Sequence, residues 1–138
     1  MADQMINGSC LCGSVGYEML NTHRVFQYCH CSRCQKFTGS AHASNIIVDP
    51  DKFRWTRGED LVSRFELPEA KHYATSFCKT CGSSLPWMTQ SKKAVVIPAG
   101  TLDADPQIRP VHNIFYASRA DWYEDPNSLP KFDELPVK

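Results

Sequence analysis

The chain has 138 residues, and its 15 Lys and Arg balance its 15 Asp and Glu to a formal net charge of zero. That balance argues against a nucleic-acid surface, and no charge run reads as an interaction tail. Hydrophobic residues make up 42% and charged residues 22%, so the sequence reads as one soluble domain, 1–138, able to bury a modest core.

The opening residues, Met1-Ala2-Asp3-Gln4-Met5-Ile6, lack the cationic start and long apolar core of a signal peptide. No apolar run approaches the length of a membrane span, so no membrane partner is expected. The expected compartment is the cytoplasm, where thiols stay reduced.

Short β-like runs follow one another. Ser14 to Glu18 and Arg24 to Tyr28 alternate. Ser32 to Thr38 reads as a short helical turn, with Ser32 as N-cap and Gly39 as stop. His42 to Val48 reads as a strand ending in the turn Asp49-Pro50-Asp51. Phe53 to Thr56, Val62 to Leu67 and Tyr73 to Phe77 are further strand signals. Leu85 to Met88 contains Pro86, which suggests an edge strand. Ala94 to Ile97 is a continuous apolar run and reads as a buried central strand. His112 to Tyr116 is the last strand expected. The nine prolines and seven glycines punctuate these runs at the spacing of an antiparallel sandwich or barrel. The proline-rich end, 123–138, reads as an extended tail packed on the domain, anchored by Trp122, Tyr123, Leu129 and Phe132.

The seven cysteines fall into three tight groups. Tyr28-Cys29-His30-Cys31-Ser32-Arg33-Cys34 holds three of them, too crowded for ordinary disulfides. Cys10-Leu11-Cys12 lies upstream and Cys78-Lys79-Thr80-Cys81 downstream. An odd count in tight clusters favours metal over disulfides. Two knuckles far apart in sequence can share one metal, because loop-closure cost grows slowly with length. Gly13 and Gly82 follow the two pairs and permit the positive-φ turn that aims backbone amides at sulfur. Cys10, Cys12, Cys78 and Cys81 therefore read as a closed, structural zinc site.

Cys29, Cys31 and Cys34 read as a second zinc site with an open fourth position. Water, a substrate thiolate or carbonyl oxygen, or a protein group can fill it. His30 is the obvious protein ligand, yet strand alternation turns it away from its neighbours. His42 and His112 are weaker candidates. Arg33, Lys36 and Lys79 lie in or beside the clusters and can offset thiolate charge.

With these residues in hand, the chain resembles the glutathione-dependent formaldehyde-activating enzyme family, which also includes centromere protein V. The resemblance rests on Gly8-Ser9-Cys10-Leu11-Cys12-Gly13, on Cys29-His30-Cys31-Ser32-Arg33-Cys34-Gln35-Lys36, and on Phe77-Cys78-Lys79-Thr80-Cys81-Gly82. Ala99 to Asp103 and His112 to Trp122 extend it over most of the chain.

The resemblance implies a mainly β fold: zinc-containing antiparallel β-sheets in a tent-like arrangement, with one short helical turn. The small zinc protein that binds Rab GTPases has a similar fold. The resemblance also implies one zinc on Cys10, Cys12, Cys78 and Cys81, and a second on Cys29, Cys31 and Cys34. The implied activity is that of a carbon–sulfur lyase, making or breaking S-hydroxymethylglutathione from glutathione and formaldehyde. Cys29, Cys31 and Cys34 are then the catalytic group, and the implied partner is a small thiol. Arg33, Lys36 and Arg119 are candidates to bind its carboxylates. The alternative is a non-catalytic zinc module that binds a protein, with Trp55, Trp87 and Trp122 as the residues to watch.

Overall fold

The fold is taken from a computed structural model that describes residues 3–136. It is mainly β. In chain order the elements are β1 (Met5–Ser9), β2 (Gly16–Leu20), β3 (Val25–Cys29), α1 (Ser32–Thr38), β4 (Ala43–Val48), β5 (Phe53–Arg57), β6 (Val62–Glu66), β7 (Ala74–Cys78), β8 (Ser84–Leu85), β9 (Trp87–Met88), β10 (Val95–Pro98) and β11 (Asn113–Ile114).

The strands form three sheets, ordered β1-β2-β5, β11-β3-β4-β10-β9 and β6-β7-β8. All pairings are antiparallel except β11 on β3, where Asn113 and Ile114 run parallel to Tyr28 and Cys29. Several small sheets thus replace the single sandwich or barrel that the turn spacing suggests.

Alternation decides which side chains meet. In β2, Tyr17 and Met19 point inward; in β4, Ile46 and Val48 do. With Ile6, Phe26, Val95 and Ile97 they form the main core between the first two sheets. Val95 to Ile97 are buried, and β10 has neighbours on both sides, as its continuous apolar run requires.

Pro86 does more than mark an edge. It separates β8 from β9, and these two strands belong to different sheets. Each lies at its sheet's edge, where a residue without an N–H is tolerated.

One strand has no clear sequence signal. Met5–Ser9 contains Asn7, Gly8 and Ser9, which are poor strand formers. Its pairing with β2, from Met5 opposite Leu20 to Ser9 opposite Gly16, makes it a strand.

The C-terminal tail departs from the expectation of close packing. Tyr123 is half-buried, with its ring 5.2 Å from that of His30. Trp122, Leu129 and Phe132 are 67%, 49% and 54% exposed, so they do not anchor the tail. Residues 137 and 138, also assigned to that tail, lie outside the described residues. Among the described residues, no helix is long and apolar enough to cross a membrane.

Candidate metal centres and the adjoining cavity

The first cysteine group lies where two chain turns meet. The β1–β2 loop folds back on itself: Gly13 N–H donates to Cys10 carbonyl at 3.0 Å, and Val15 N–H points at Cys10 Sγ from 3.3 Å. The β7–β8 turn is similar, with Gly82 N–H donating to Cys78 carbonyl at 2.8 Å. Gly13 and Gly82 have φ of 82° and 78°, the left-handed region that favours glycine. Leu11 N–H donates to Ser83 Oγ at 2.9 Å and ties the loops together. Cys10, Cys12, Cys78 and Cys81 converge, with all four Sγ within 4.8 Å of one another.

Local hydrogen bonds prepare part of this group for ionisation. The Ser83 hydroxyl and backbone N–H hold the Cys81 thiol down at about 5. The Ser14 hydroxyl lowers that of Cys12. Burial raises that of Cys10.

The second group is built by one strand end and one helix start. Cys29 is the last residue of β3. Cys31 is the N-cap of α1, where its Sγ accepts from Cys34 N–H at 3.4 Å. The cap is therefore Cys31 and not Ser32. A sulfur can serve there because the cap needs only an acceptor aimed at the first free N–H groups. Gly39 ends the helix at φ 65°, as its sequence position suggests.

The Sγ atoms of Cys29, Cys31 and Cys34 lie within 4.8 Å of one another. A hydrogen bond from the Cys34 thiol lowers Cys29 to about 6. The same bond, then burial, raises Cys34. Three thiolates this close repel one another, so full ionisation calls for a cation among them.

His30 turns away from this group, as alternation predicts. It is fully buried, and its Nε2 donates to Asn113 Oδ1 at 2.9 Å. Its ring packs among those of His42, Tyr116 and Tyr123. His42 stacks on Tyr28 at 4.4 Å, and His112 bonds Gln27 at 2.8 Å. None of the three histidines joins a cysteine group.

The two groups differ in what lies beside them. A cavity of about 600 Å³ is lined by all three of Cys29, Cys31 and Cys34. Its walls are apolar, from Tyr73, Trp87, Val96, Ile114 and Phe115, with Arg33, Lys71 and His72 among its polar groups. This volume falls within the usual range of ligand sites, about 300–1,000 Å³. The hollow near the four-cysteine group touches only Cys10 of that group.

Of the cationic candidates, Arg33 lines the cavity and Lys36 lies in a neighbouring groove. Arg119 is elsewhere, with its guanidinium 4.5 Å from the Tyr116 ring centre. Lys79 Nζ bonds the Asp60 carbonyl at 3.3 Å. Lys71 and His72 carry no local sequence signal; Tyr73 and Phe115, which the pattern assigns to strands, lie instead just before β7 and just after β11, and these loop positions bring them to the cavity.

Comparison with known proteins follows this geometry. No curated protein matches the sequence. The crystal structure of a Rhodobacter sphaeroides protein is similar, with a TM-score of 0.58 and 22% identity, over 78% of this chain and 99% of that one. At that identity the likeness shows the fold alone. The family profile described as glutathione-dependent formaldehyde-activating enzyme matches residues 5–118, which span both cysteine groups and every strand. The chain belongs to the glutathione-dependent formaldehyde-activating enzyme family.

Proposed function

We propose that the protein is a zinc-dependent carbon–sulfur lyase acting on the adduct of a small thiol and an aldehyde, such as S-hydroxymethylglutathione. One observation carries this reading. The three-cysteine group opens onto a walled cavity, and the four-cysteine group is tied into the fold by two turns.

The donor sets fit zinc. A tetrahedron with metal–sulfur bonds of about 2.3 Å has sulfur–sulfur edges of about 3.8 Å. Cys10 and Cys12 Sγ are 3.6 Å apart, and Cys12 and Cys78 Sγ 3.9 Å. Disulfide sulfurs sit far closer, at about 2.05 Å. Cys10, Cys12, Cys78 and Cys81 would hold a structural ion, and Cys29, Cys31 and Cys34 a second ion with one position free. The second zinc would supply positive charge that lowers the pKa of a thiol beside it and polarises an aldehyde oxygen.

The chain's own side chains supply the remaining functions. Arg33 and Lys71 line the cavity and attract the carboxylates of a thiol such as glutathione. Tyr73 and Trp87, with rings 5.2 Å apart, exclude water from one wall. Burial raises the Tyr73 hydroxyl, with the nearby thiolates adding to it, so Tyr73 stays neutral and donates to Arg33 carbonyl at 3.1 Å. His72 also lines the cavity and is held by its Nδ1 contact with Ser91 Oγ at 2.8 Å.

In the lyase direction the adduct hydroxyl loses its proton, its oxygen forms the carbonyl, and the carbon–sulfur bond breaks. The bonding pair leaves with sulfur. In the reverse direction the thiolate attacks the aldehyde carbon and the oxygen takes back a proton. Seven free cysteines suit a reducing compartment such as the cytoplasm.

The test is zinc stoichiometry on reduced protein, with optical spectra after cobalt substitution. Two metals, with one cobalt spectrum shifting when glutathione is added, support the lyase. The exposed Trp122, Leu129 and Phe132 favour a second reading, a zinc-stabilised module that binds a protein. Two metals indifferent to any thiol would move the assignment there.

A further inference from the structure

The cavity at the three cysteines does not end at Tyr73. A groove of about 510 Å³ continues from it, and the two hollows share Ser32, Arg33 and Tyr73 as lining. The Arg33 guanidinium lies 5.9 Å from the Tyr73 ring centre, so this pair stands at the junction.

The groove walls, like those of the cavity, are largely apolar. Phe37 and Leu67 are half-buried, and Phe65 is 51% exposed on the edge strand β6. Phe65 stands between Arg64 and Glu66, whose side chains pair with each other at 3.0 Å. Arg33 and Lys36 also line the groove, against the single acid Glu69.

A second apolar feature lies on the same cavity. Phe115 lines it with φ of 53° and 62% exposure. A bulky residue in the left-handed region is uncommon and costs energy, and such residues gather at functional sites.

We infer that Phe37, Phe65 and Leu67 form a second subsite, which takes the aryl or branched-alkyl end of a monocarboxylate thiol whose sulfur reaches Cys29, Cys31 and Cys34. This rests on the thiol-adduct reading above and names its substrate class. Arg33 at the junction and Lys36 in the groove recognise the carboxylate, and the groove removes the far end from water. Glutathione is polar along its whole length and leaves these apolar walls unmatched.

The test uses reduced, cobalt-substituted protein. Mercaptoacetate, 2-mercapto-3-phenylpropanoate and glutathione are titrated while the optical spectrum is read, with calorimetry as a second readout. The expected result is that the phenyl thiol binds on the order of tenfold more tightly than mercaptoacetate, as partial burial of one aromatic ring allows. Phe65→Thr, which keeps a good strand former, removes most of that difference. Leu67→Ser does the same in smaller measure, and the retained cobalt spectrum shows that each variant is folded.

Equal affinity for the phenyl thiol and mercaptoacetate overturns the subsite and leaves the lyase reading intact. So does an equal loss for both thiols in Phe65→Thr. Silence towards every thiol overturns both. A dimer by light scattering that Phe65→Thr dissociates means a second copy fills this groove, and it overturns the subsite alone.

Discussion

Cys31 caps the helix that carries Cys34: the Cys34 N–H points at Cys31 Sγ, 3.4 Å away. One sulfur thus serves as helix cap and as candidate ligand. The two roles separate on substitution. Cys31→Ser keeps an excellent cap but loses the thiolate. It should melt close to the parent while binding one metal fewer and losing activity. Cys31→Ala loses the cap as well and should cost about 1 kcal/mol more. Circular dichroism melts and metal analysis of both variants check this. If Cys31→Ser unfolds as readily as a variant of the four-cysteine group, the division of roles is wrong.

Cys10→Ser or Cys81→Ser should do much greater damage. The four-cysteine group joins the β1–β2 loop to the β7–β8 turn, 66 residues apart between Cys12 and Cys78. A structural metal there, as proposed above, would contribute directly to folding. The loss should exceed the roughly 0.5–3 kcal/mol of an ordinary substitution. A strong chelator under reducing conditions should unfold the parent in the same way. Urea titrations with and without added zinc read both effects.

His42 gives the stability a pH dependence. Burial lowers its pKa, with the Ala43 carbonyl opposing and His30 adding to the shift. The folded protein therefore favours the neutral ring. Stability from this residue is fully present above the ordinary histidine value near 6.5 and falls as pH drops through it. The ring stacks on Tyr28 and faces His30 and Tyr123. His42→Phe keeps an aromatic ring but cannot take a proton. Its melting temperature should change less than the parent's between pH 7 and pH 5. An identical pH profile for the two proteins would remove His42 from the account.

Phe115 should trade stability against binding. Its φ of 53° costs an ordinary residue roughly 1–2 kcal/mol, part of which glycine gives back as chain entropy. Phe115→Gly should leave stability unchanged or raise it by up to about 1 kcal/mol. It also strips one wall from the cavity, so thiol affinity should fall. Paired urea and cobalt titrations measure both. A clear loss of stability would show that the ring packs more than its exposure suggests.

Cysteine spacing made the convergence of the four-cysteine and three-cysteine groups legible in the sequence, because tight pairs and a triplet have few other uses. The short helix was legible from Gly39, yet its cap was assigned to Ser32, since sulfur is seldom counted among capping acceptors. Met5–Ser9 was not legible, because pairing with β2 and not composition makes it a strand. Lys71, His72 and Phe115 reach the cavity from loops. No periodicity marks such positions, and nothing local signals a left-handed phenylalanine. The tail failed for a different reason. Trp122, Leu129 and Phe132 look like anchors because large apolar residues are usually covered, but that rule runs only one way and all three are exposed.

Strand β7 carries a consequence for how the protein becomes complete. Cys78 at its end belongs to the four-cysteine group, and Tyr73, just before its start, walls the cavity. Five residue-to-residue steps of extended chain, about 16 Å, separate the two. The strand works as a ruler between a fastener and a workplace. Loosening the chain at Cys78 should therefore be felt at Tyr73 and its ring partner Trp87, which wall the cavity of the three cysteines. On the two-zinc reading proposed above, the four-cysteine group should therefore fill first. When zinc is scarce, molecules should divide into the complete and the unformed, with few left holding an ion at the three cysteines alone.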